Sequence, residues 1–93
     1  MKRLLWWLIC GTRGGVTRLR IIESIRENPK NANKLAETLQ LDYKTIRHHL
    51  DVLKKHNIIA YTGEGYGAIY HLSEIMEANI KELTLRIDKV LKA

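Results

Sequence analysis

Two adjacent histidines, His48 and His49, lie among four lysine and arginine side chains in DYKTIRHHLDVLKKHN, residues 42–57. Histidine side chains bind metal ions, whereas lysine and arginine side chains bind phosphates and base edges. Consecutive residues on a helix do not face each other, so His48 and His49 cannot chelate one ion together. His49 and His56 share a face, but seven residues separate them by about 10 Å along the axis. The pattern therefore disfavours a metal site, and no metal or cofactor is expected.

Helical spacing divides residues 42–57 into two faces. Leu50, Leu53 and Asn57 fall within about 40° of Ile46, which predicts a buried stripe. His49 lies at the edge of this stripe, and a partly buried histidine hydrogen-bonded to backbone is expected there. The opposite face carries polar and charged side chains: Lys44, Arg47, His48, Asp51 and Lys55. Such a face is either an ordinary solvated surface or a binding surface for a polyanion.

The segment before this helix favours the binding alternative. Thr17 is a predicted N-cap, and the helix that it opens ends at Asn28, because the residue before a proline leaves the helical region. Asn31 caps a short helix, ANKLAETLQ, and Asp42 caps the next one. Two helices joined by three or four residues form a helix-turn-helix, whose second helix enters the DNA major groove. The residues of these two helices predicted to contact DNA are Asn33, Lys34, Tyr43, Lys44, Thr45, Arg47, His48 and Lys55.

The remainder of the chain adds a hairpin and a last helix. The β-branched and aromatic runs IIAYT and AIYHL flank the glycine-rich GEGYG, which predicts a β-hairpin. Ser73 caps the final helix. The predicted fold is α+β, mainly α with a small β-hairpin, in one structural domain. Its parts are an apolar segment and loop (1–16), three helices with the hairpin (17–72) and a C-terminal helix (73–93).

Charge and cysteine content restrict the partners and the compartment. The chain has 93 residues with 16 basic and 10 acidic side chains, and residues 1–62 hold 12 of the basic and 5 of the acidic ones. This asymmetry favours a polyanionic partner, although a charge that only keeps the protein soluble is the alternative. A single cysteine, Cys10, indicates a reducing compartment. The apolar run Leu4–Cys10 is far shorter than the roughly 20 residues of a membrane span, so a cytoplasmic protein without a membrane partner is expected.

Apolar residues near both ends predict a homodimer. The last helix repeats apolar residues at the 4-3-4-3 spacing of a coiled-coil seam, although a helix that closes the core of one domain is the alternative. Adjacent indoles at Trp6 and Trp7 are difficult to cover in a small single-copy core, and exposed patches of this kind tend to be interfaces. The predicted dimer interface comprises Leu5, Trp6, Leu8, Ile9, Met76, Ile80, Leu83, Ile87 and Val90.

Three segments carry a resemblance to a known family. TRLRIIESI, NANKLAETLQLDYKTIRHHLDVLKKHNII and YGAIYHLS resemble the ArsR-type winged helix-turn-helix transcription regulators, particularly small archaeal ones. The resemblance covers roughly residues 12–75. It implies a sequence-specific regulator that binds operator DNA as a dimer, usually as a repressor, with a recognition helix beginning at Tyr43–His48. Residues 63–67 correspond to the tip of the wing.

Several departures from the family pattern change what is expected of this chain. The recognition helix lacks the Cys-x-Cys pair of the arsenic sensors, and residues 73–93 lack the histidines of the zinc sensors, so the effector is unknown. The wing tip contains Glu64 and no lysine or arginine, so its DNA contact is expected from Tyr66 or from glycine N–H groups, and the wing is expected to contribute little to DNA binding. Gln40 stands where many such turns use glycine, which requires a left-handed glutamine or a longer helix.

Two other functions remain open from the sequence. A winged helix can serve as a protein-interaction module, or as an architectural DNA-binding protein without operator specificity. An enzyme is not expected, because the chain has no phosphate-binding glycine loop after a strand, no nucleophile–base spacing and no paired carboxylates in an apolar setting.

Overall fold

A computed structural model of the protein describes residues 14–80, which form three helices, a hairpin and the start of a fourth helix. The elements are α1 (Gly15–Glu27), α2 (Ala32–Leu39), α3 (Tyr43–Lys55), β1 (Ile59–Thr62), a 3-10 turn (Gly65–Gly67) and β2 (Ile69–Leu72). Helix α4 begins at residue 74 and is helical to the last described residue. The order is that of a winged helix-turn-helix, which confirms the predicted fold class. No helix within residues 14–80 combines the length and the apolar character needed to cross a membrane.

Side-chain caps start three of the four helices at the predicted residues. The Asn31 side chain accepts a hydrogen bond from the Lys34 amide at 2.7 Å, and it opens α2. The Ser73 hydroxyl accepts one from the Met76 amide at 3.1 Å, and it opens α4. The Asp42 carboxylate accepts one from the Thr45 amide, and it opens α3. Each cap satisfies an amide that has no partner within the helix, so these polar residues determine where the helices begin.

The start of α1 differs from the prediction. The helix begins at Gly15 rather than after Thr17, so residues 15 and 16 of the predicted loop are helical. Gly14 precedes the helix with a φ of 86°, and its carbonyl accepts the first hydrogen bond, from the Arg18 amide at 3.0 Å. Glycine adopts this left-handed conformation without the steric penalty of a Cβ atom, so the chain turns into the helix without a side-chain cap. Residues 11–13 of that loop lie outside the described part of the chain.

Gln40 occupies the turn between α2 and α3 in the left-handed conformation, with φ 56° and ψ 45°. The Gln40 amide donates to the Glu37 carbonyl at 3.3 Å, and the Leu41 amide donates to the Ala36 carbonyl at 3.0 Å. These bonds use the free carbonyls at the end of α2 and turn the chain sharply. Of the two alternatives predicted for this position, the structure has the left-handed glutamine.

The prediction that Asn57 lies on the buried stripe of α3 is wrong. The helix ends at Lys55, and Asn57 is exposed with a φ of 58°. Its amide donates to the Lys54 carbonyl at 3.0 Å, and the next amide, of Ile58, donates to the Leu53 carbonyl. Asparagine tolerates the left-handed conformation better than most residues, so it ends the helix here rather than extending it.

The two strands pair antiparallel, with Ile59 opposite Leu72 and Thr62 opposite Ile69. A third segment joins them, because Lys30 forms a bridge to Tyr70. The Tyr70 amide donates to the Lys30 carbonyl at 2.9 Å, and the Lys30 amide donates to the Tyr70 carbonyl at 3.3 Å. The loop between α1 and α2 is therefore tied to the hairpin, a contact that the sequence did not predict.

The core is built from isoleucine and leucine, as the absence of phenylalanine requires. All three complete helices, the hairpin and α4 contribute to it. The fully buried large side chains are Ile21, Ile22, Ile25, Leu35, Ile46, Leu50, Leu53, Ile58, Ile59 and Met76.

The position of α4 corrects part of the predicted dimer interface. Met76 is completely buried and Ile80 is nearly so, and both belong to the core of their own domain. The Met76 and Ile80 side chains are thus covered by the chain's own domain in the first two turns of α4, while Ile75 in the same turns is 44% exposed. The other predicted interface residues, Leu5, Trp6, Leu8, Ile9, Leu83, Ile87 and Val90, lie outside the described residues.

Candidate nucleic-acid interface

Helix α3 has the two faces that its sequence predicts. Ile46, Leu50 and Leu53 are completely buried, so one side of the helix is fixed to the core. Lys44 and His48 are exposed on the opposite side. Asp51 and Lys55 are exposed there as well. The helix is the second of the helix-turn-helix, so the outward side chains are those that such a motif presents to a DNA groove.

Asp42 determines how the first turn of α3 is presented. Its carboxylate accepts a hydrogen bond from the Thr45 amide at 2.7 Å. This bond, together with the neighbouring Lys44, holds the pKa of Asp42 below its usual range. The negative charge also complements the positive end of the helix dipole. A well-defined first turn places Lys44 and Thr45 at the exposed N-terminal end of the helix, where base contacts are made in this motif.

The Arg47 side chain is held by the hairpin and by α3 itself. Its Nη1 donates a hydrogen bond of 2.6 Å to the Tyr70 hydroxyl, and its Nη2 lies 3.7 Å from Oδ1 of Asp51. Only 36% of the Arg47 side chain is exposed. Partial burial opposes the charge, but Tyr70, Asp51 and Tyr43 outweigh it and raise the pKa of Arg47. The guanidinium is therefore charged and fixed against the hairpin.

The tip of the wing presents an aromatic side chain beside α3. Tyr66 is 78% exposed, and the centre of its ring lies 6.2 Å from that of Tyr43. These two tyrosines, with Arg47 and Gly65, line a cleft of about 300 Å³ between the helix and the wing. The fold thus brings Tyr66 of the wing next to Tyr43 and Arg47 of α3, which are about 20 residues away in sequence.

A second cation of α3 also lies against the hairpin. The Lys54 ammonium is 4.9 Å from the centre of the Tyr61 ring, and that ring is 5.9 Å from the ring of Tyr70. Lys54 and Arg47 are seven residues apart, so they share one side of the helix. Neither Lys54 nor the two tyrosines were among the predicted site residues, because only the three-dimensional fold shows that the hairpin covers this side.

Helix α2 contributes the remaining predicted contacts. Asn33 and Lys34 are both exposed at its N-terminal end. Lys34 lies 3.8 Å from Glu37, and both side chains are largely in solvent, so this ion pair holds the lysine only weakly. The Lys34 ammonium is therefore accessible to a polyanion from solvent.

His49 is buried rather than partly buried as predicted, whereas His48 is exposed. The His49 ring lies 5.4 Å from the His48 ring and packs on Gly14. The prediction of a backbone hydrogen bond is wrong for Nδ1, which is buried and has no hydrogen-bond partner among residues 14–80. Burial, followed by the charges of Arg18 and His48, lowers the pKa of His49. Within the same residues, no three histidine, cysteine, aspartate or glutamate side chains are grouped to hold a metal ion.

Comparison with known proteins identifies the family. The sequence model described as "Bacterial regulatory protein, arsR family" matches residues 15–61, which is half of the chain and includes α1, α2 and α3. An uncharacterized HTH-type transcriptional regulator of Methanocaldococcus jannaschii is 32% identical over 78 residues, which is 83% of this chain and 84% of that protein. The predicted resemblance is confirmed by both matches.

Solved structures have the same fold at lower identity. The homodimeric winged helix-turn-helix DNA-binding domain of a possible ArsR-family regulator from Mycobacterium bovis has a TM-score of 0.69 at 18% identity, over 81% of this chain and 70% of that one. Reduced HlyU from Vibrio cholerae has a TM-score of 0.70 at 21% identity, over 92% and 87% of the two chains. The family regulates transcription and performs no catalysis. This chain therefore belongs to the ArsR family of winged helix-turn-helix transcription regulators and is not an enzyme.

Proposed function

We propose that this chain is a sequence-specific regulator that binds double-stranded operator DNA as a homodimer and represses transcription. The observation that carries the proposal is the outward face of α3, where Lys44 and His48 are exposed opposite a completely buried aliphatic stripe. In a helix-turn-helix, that face enters the major groove. A chromosomal operator as partner would also place the protein in the cytoplasm.

The side chains proposed to contact DNA differ in the part of the DNA that they would contact. Lys44 and His48 occupy the centre of the outward face in the first two turns of α3, and their nitrogen atoms are suited to the hydrogen-bonding edges of bases. The Thr45 hydroxyl lies on the flank of the same turns, where it is suited to a backbone phosphate. Lys55 lies at the far end of the helix, where a cation is suited to a backbone phosphate. Asn33 and Lys34 at the start of α2 are suited to the phosphates beside the same groove. Tyr43 and Tyr66 are suited to the sugars of the DNA backbone.

A dimer is proposed because one groove-reading helix recognises few base pairs. Two copies would place two α3 helices on half-sites about 34 Å apart. The predicted contacts near Trp6 and after residue 80 would hold the copies together. Ile75, which is 44% exposed at the start of α4, would add apolar surface to such an interface. The M. bovis neighbour is described as homodimeric, which agrees with this proposal.

Selection of bound sequences from a pool of random duplexes tests this function. The expected result is a pair of related half-sites whose centres are about one helical turn apart. Binding of the selected duplex should weaken as salt rises, with a logarithmic slope near 0.9 for each phosphate contacted. Bound duplexes without a common sequence would favour the architectural alternative. A chain that binds no duplex at low ionic strength would favour a protein-interaction module.

A further inference from the structure

We propose that Arg47 binds a backbone phosphate of DNA beside the wing, rather than a base edge, and that Tyr70 is the residue that positions it. The inference rests on the proposed DNA-binding function and specifies one contact within it. It changes the role that the sequence predicted for Arg47, which was to read bases.

The direction of Arg47 on the helix is the first reason. At 100° per residue, Lys44 and His48 both lie about 160° from the buried Ile46, whereas Arg47 lies only about 100° from it. Lys44 and His48 therefore occupy the centre of the outward face, and Arg47 occupies its flank. When a helix lies in the major groove, the centre of that face meets the bases and the flanks meet the walls of the groove. Those walls are formed by the phosphates.

The contacts of Arg47 are the second reason. The Tyr70 hydroxyl accepts its hydrogen bond at 2.6 Å, and Asp51 lies 3.7 Å away on the same helix. Tyr70 is only 4% exposed, and its backbone is hydrogen-bonded to Lys30 in both directions. The hydroxyl is thus on a rigid support. A side chain already held in one position loses less freedom when it binds, so Tyr70 prepares the guanidinium for its partner.

The cleft beside Arg47 indicates which chemical group it would receive. Arg47 is the one cation, and no carboxylate is present, among the described residues that line it: Tyr43, Arg47, Gly65 and Tyr66. Two phenol hydroxyls and a guanidinium are suited to the oxygen atoms of a phosphodiester. The exposed Tyr66 ring and the partly buried Tyr43 ring, 6.2 Å apart, offer apolar surface for the adjoining sugars.

This assignment also explains the composition of the wing. Residues 63–67 contain no lysine or arginine, and the one charged residue among them is Glu64. A wing of that composition cannot bind a phosphate by its own cations. Because Arg47 is fixed against β2, the recognition helix supplies the positive charge at the place where the wing meets DNA.

Three variants of the full-length chain test the proposal: Arg47→Gln, Tyr70→Phe and Tyr61→Phe. Fluorescence anisotropy would measure their binding to the selected duplex and to a scrambled duplex across a salt series. Arg47→Gln should weaken both duplexes by the same factor and reduce the salt slope by about 0.9. Tyr70→Phe, which loses one hydrogen bond and keeps the ring, should weaken both duplexes about threefold to tenfold. Tyr61→Phe keeps its ring contacts and serves as the control, with unchanged binding.

Two results would contradict the proposed role of Arg47. A loss confined to the selected duplex with an unchanged salt slope would show that Arg47 reads a base. Unchanged binding of Arg47→Gln to both duplexes would show that its contact with Tyr70 serves only the fold. Either result overturns this inference and leaves the proposed function intact, whereas wild-type protein that binds no duplex would overturn both. Thermal unfolding of each variant checks that it is folded. If Tyr70→Phe does not fold, the binding of Arg47→Gln to the two duplexes still tests whether Arg47 contacts a phosphate.

Discussion

Replacement of Gly14 by alanine tests how α1 is joined to the DNA-binding helix. Gly14 has a φ of 86°, and a Cβ atom built on it would lie 2.9 Å from Cε1 of His49, which belongs to α3. That separation is shorter than real carbon–carbon contacts of this kind. His49 is buried, so the ring has little room to move away. The substitution therefore combines an unfavourable backbone conformation with a steric overlap.

The expected destabilisation follows from these two effects. The left-handed conformation costs a residue with a Cβ atom about 1–2 kcal/mol. Insertion of an extra methyl group into a packed site costs about 1–3 kcal/mol. Alanine restricts the unfolded chain more than glycine does, which offsets about 0.4–1 kcal/mol. Gly14→Ala should therefore lower the free energy of unfolding by about 1–5 kcal/mol, which is large against the roughly 5–15 kcal/mol of a natural domain.

Urea unfolding followed by circular dichroism measures this change. Gly67→Ala is the matched control, because an added Cβ there meets no atom within 4 Å and the backbone is not left-handed. It should stay within about 0.5 kcal/mol of the wild type. The double variant with His49→Ala should recover the steric part of the loss and retain the backbone part. If Gly14→Ala is as stable as Gly67→Ala, the packing of His49 on Gly14 is wrong.

Three further predictions concern the caps, the buried histidine and the dimer. Asn31→Ala should destabilise the domain by about 1 kcal/mol in urea unfolding, because the cap of α2 is lost, whereas Asn33→Ala should have little effect on stability. The pKa of His49 is lowered in the folded state, so the unfolded state binds the proton more readily. Stability should therefore fall as the pH drops below the ordinary histidine value of about 6.5. His49→Gln should reduce this loss more than His56→Gln does, as pH-dependent urea unfolding would show. Trp6→Ala should weaken self-association in sedimentation equilibrium, and an equally stable dimer would contradict the proposed interface.

Local signals allowed much of the fold to be predicted. Asn31, Asp42 and Ser73 are cap residues whose bonds reach only three positions along the chain, so the starts of these three helices can be predicted from the sequence. The buried stripe of α3 follows from the helical period alone. The glycine-rich segment between two β-branched runs was sufficient to predict the hairpin.

Contacts between distant residues account for what the sequence did not predict. Arg47 and Tyr70 are 23 positions apart, and no period relates a helix residue to its partner on a later strand. The bridge from Lys30 to Tyr70 involves a single residue, which carries no strand pattern. The sequence predicts the start of α1 at Thr17, because a hydroxyl side chain is a common helix cap. Gly14 precedes the observed start instead, and its left-handed conformation depends on the fold around it.

Methylation interference on the selected duplex tests most directly whether α3 lies in the major groove, because one reagent modifies bases in both grooves. Dimethyl sulfate modifies guanine at N7, an acceptor in the major groove, and adenine at N3, an acceptor in the minor groove. If the face of α3 that carries Lys44 and His48 lies in the major groove, methylation of guanine N7 should prevent binding within two tracts about one helical turn apart. Interference at adenine N3 alone, or at neither atom, would contradict the account.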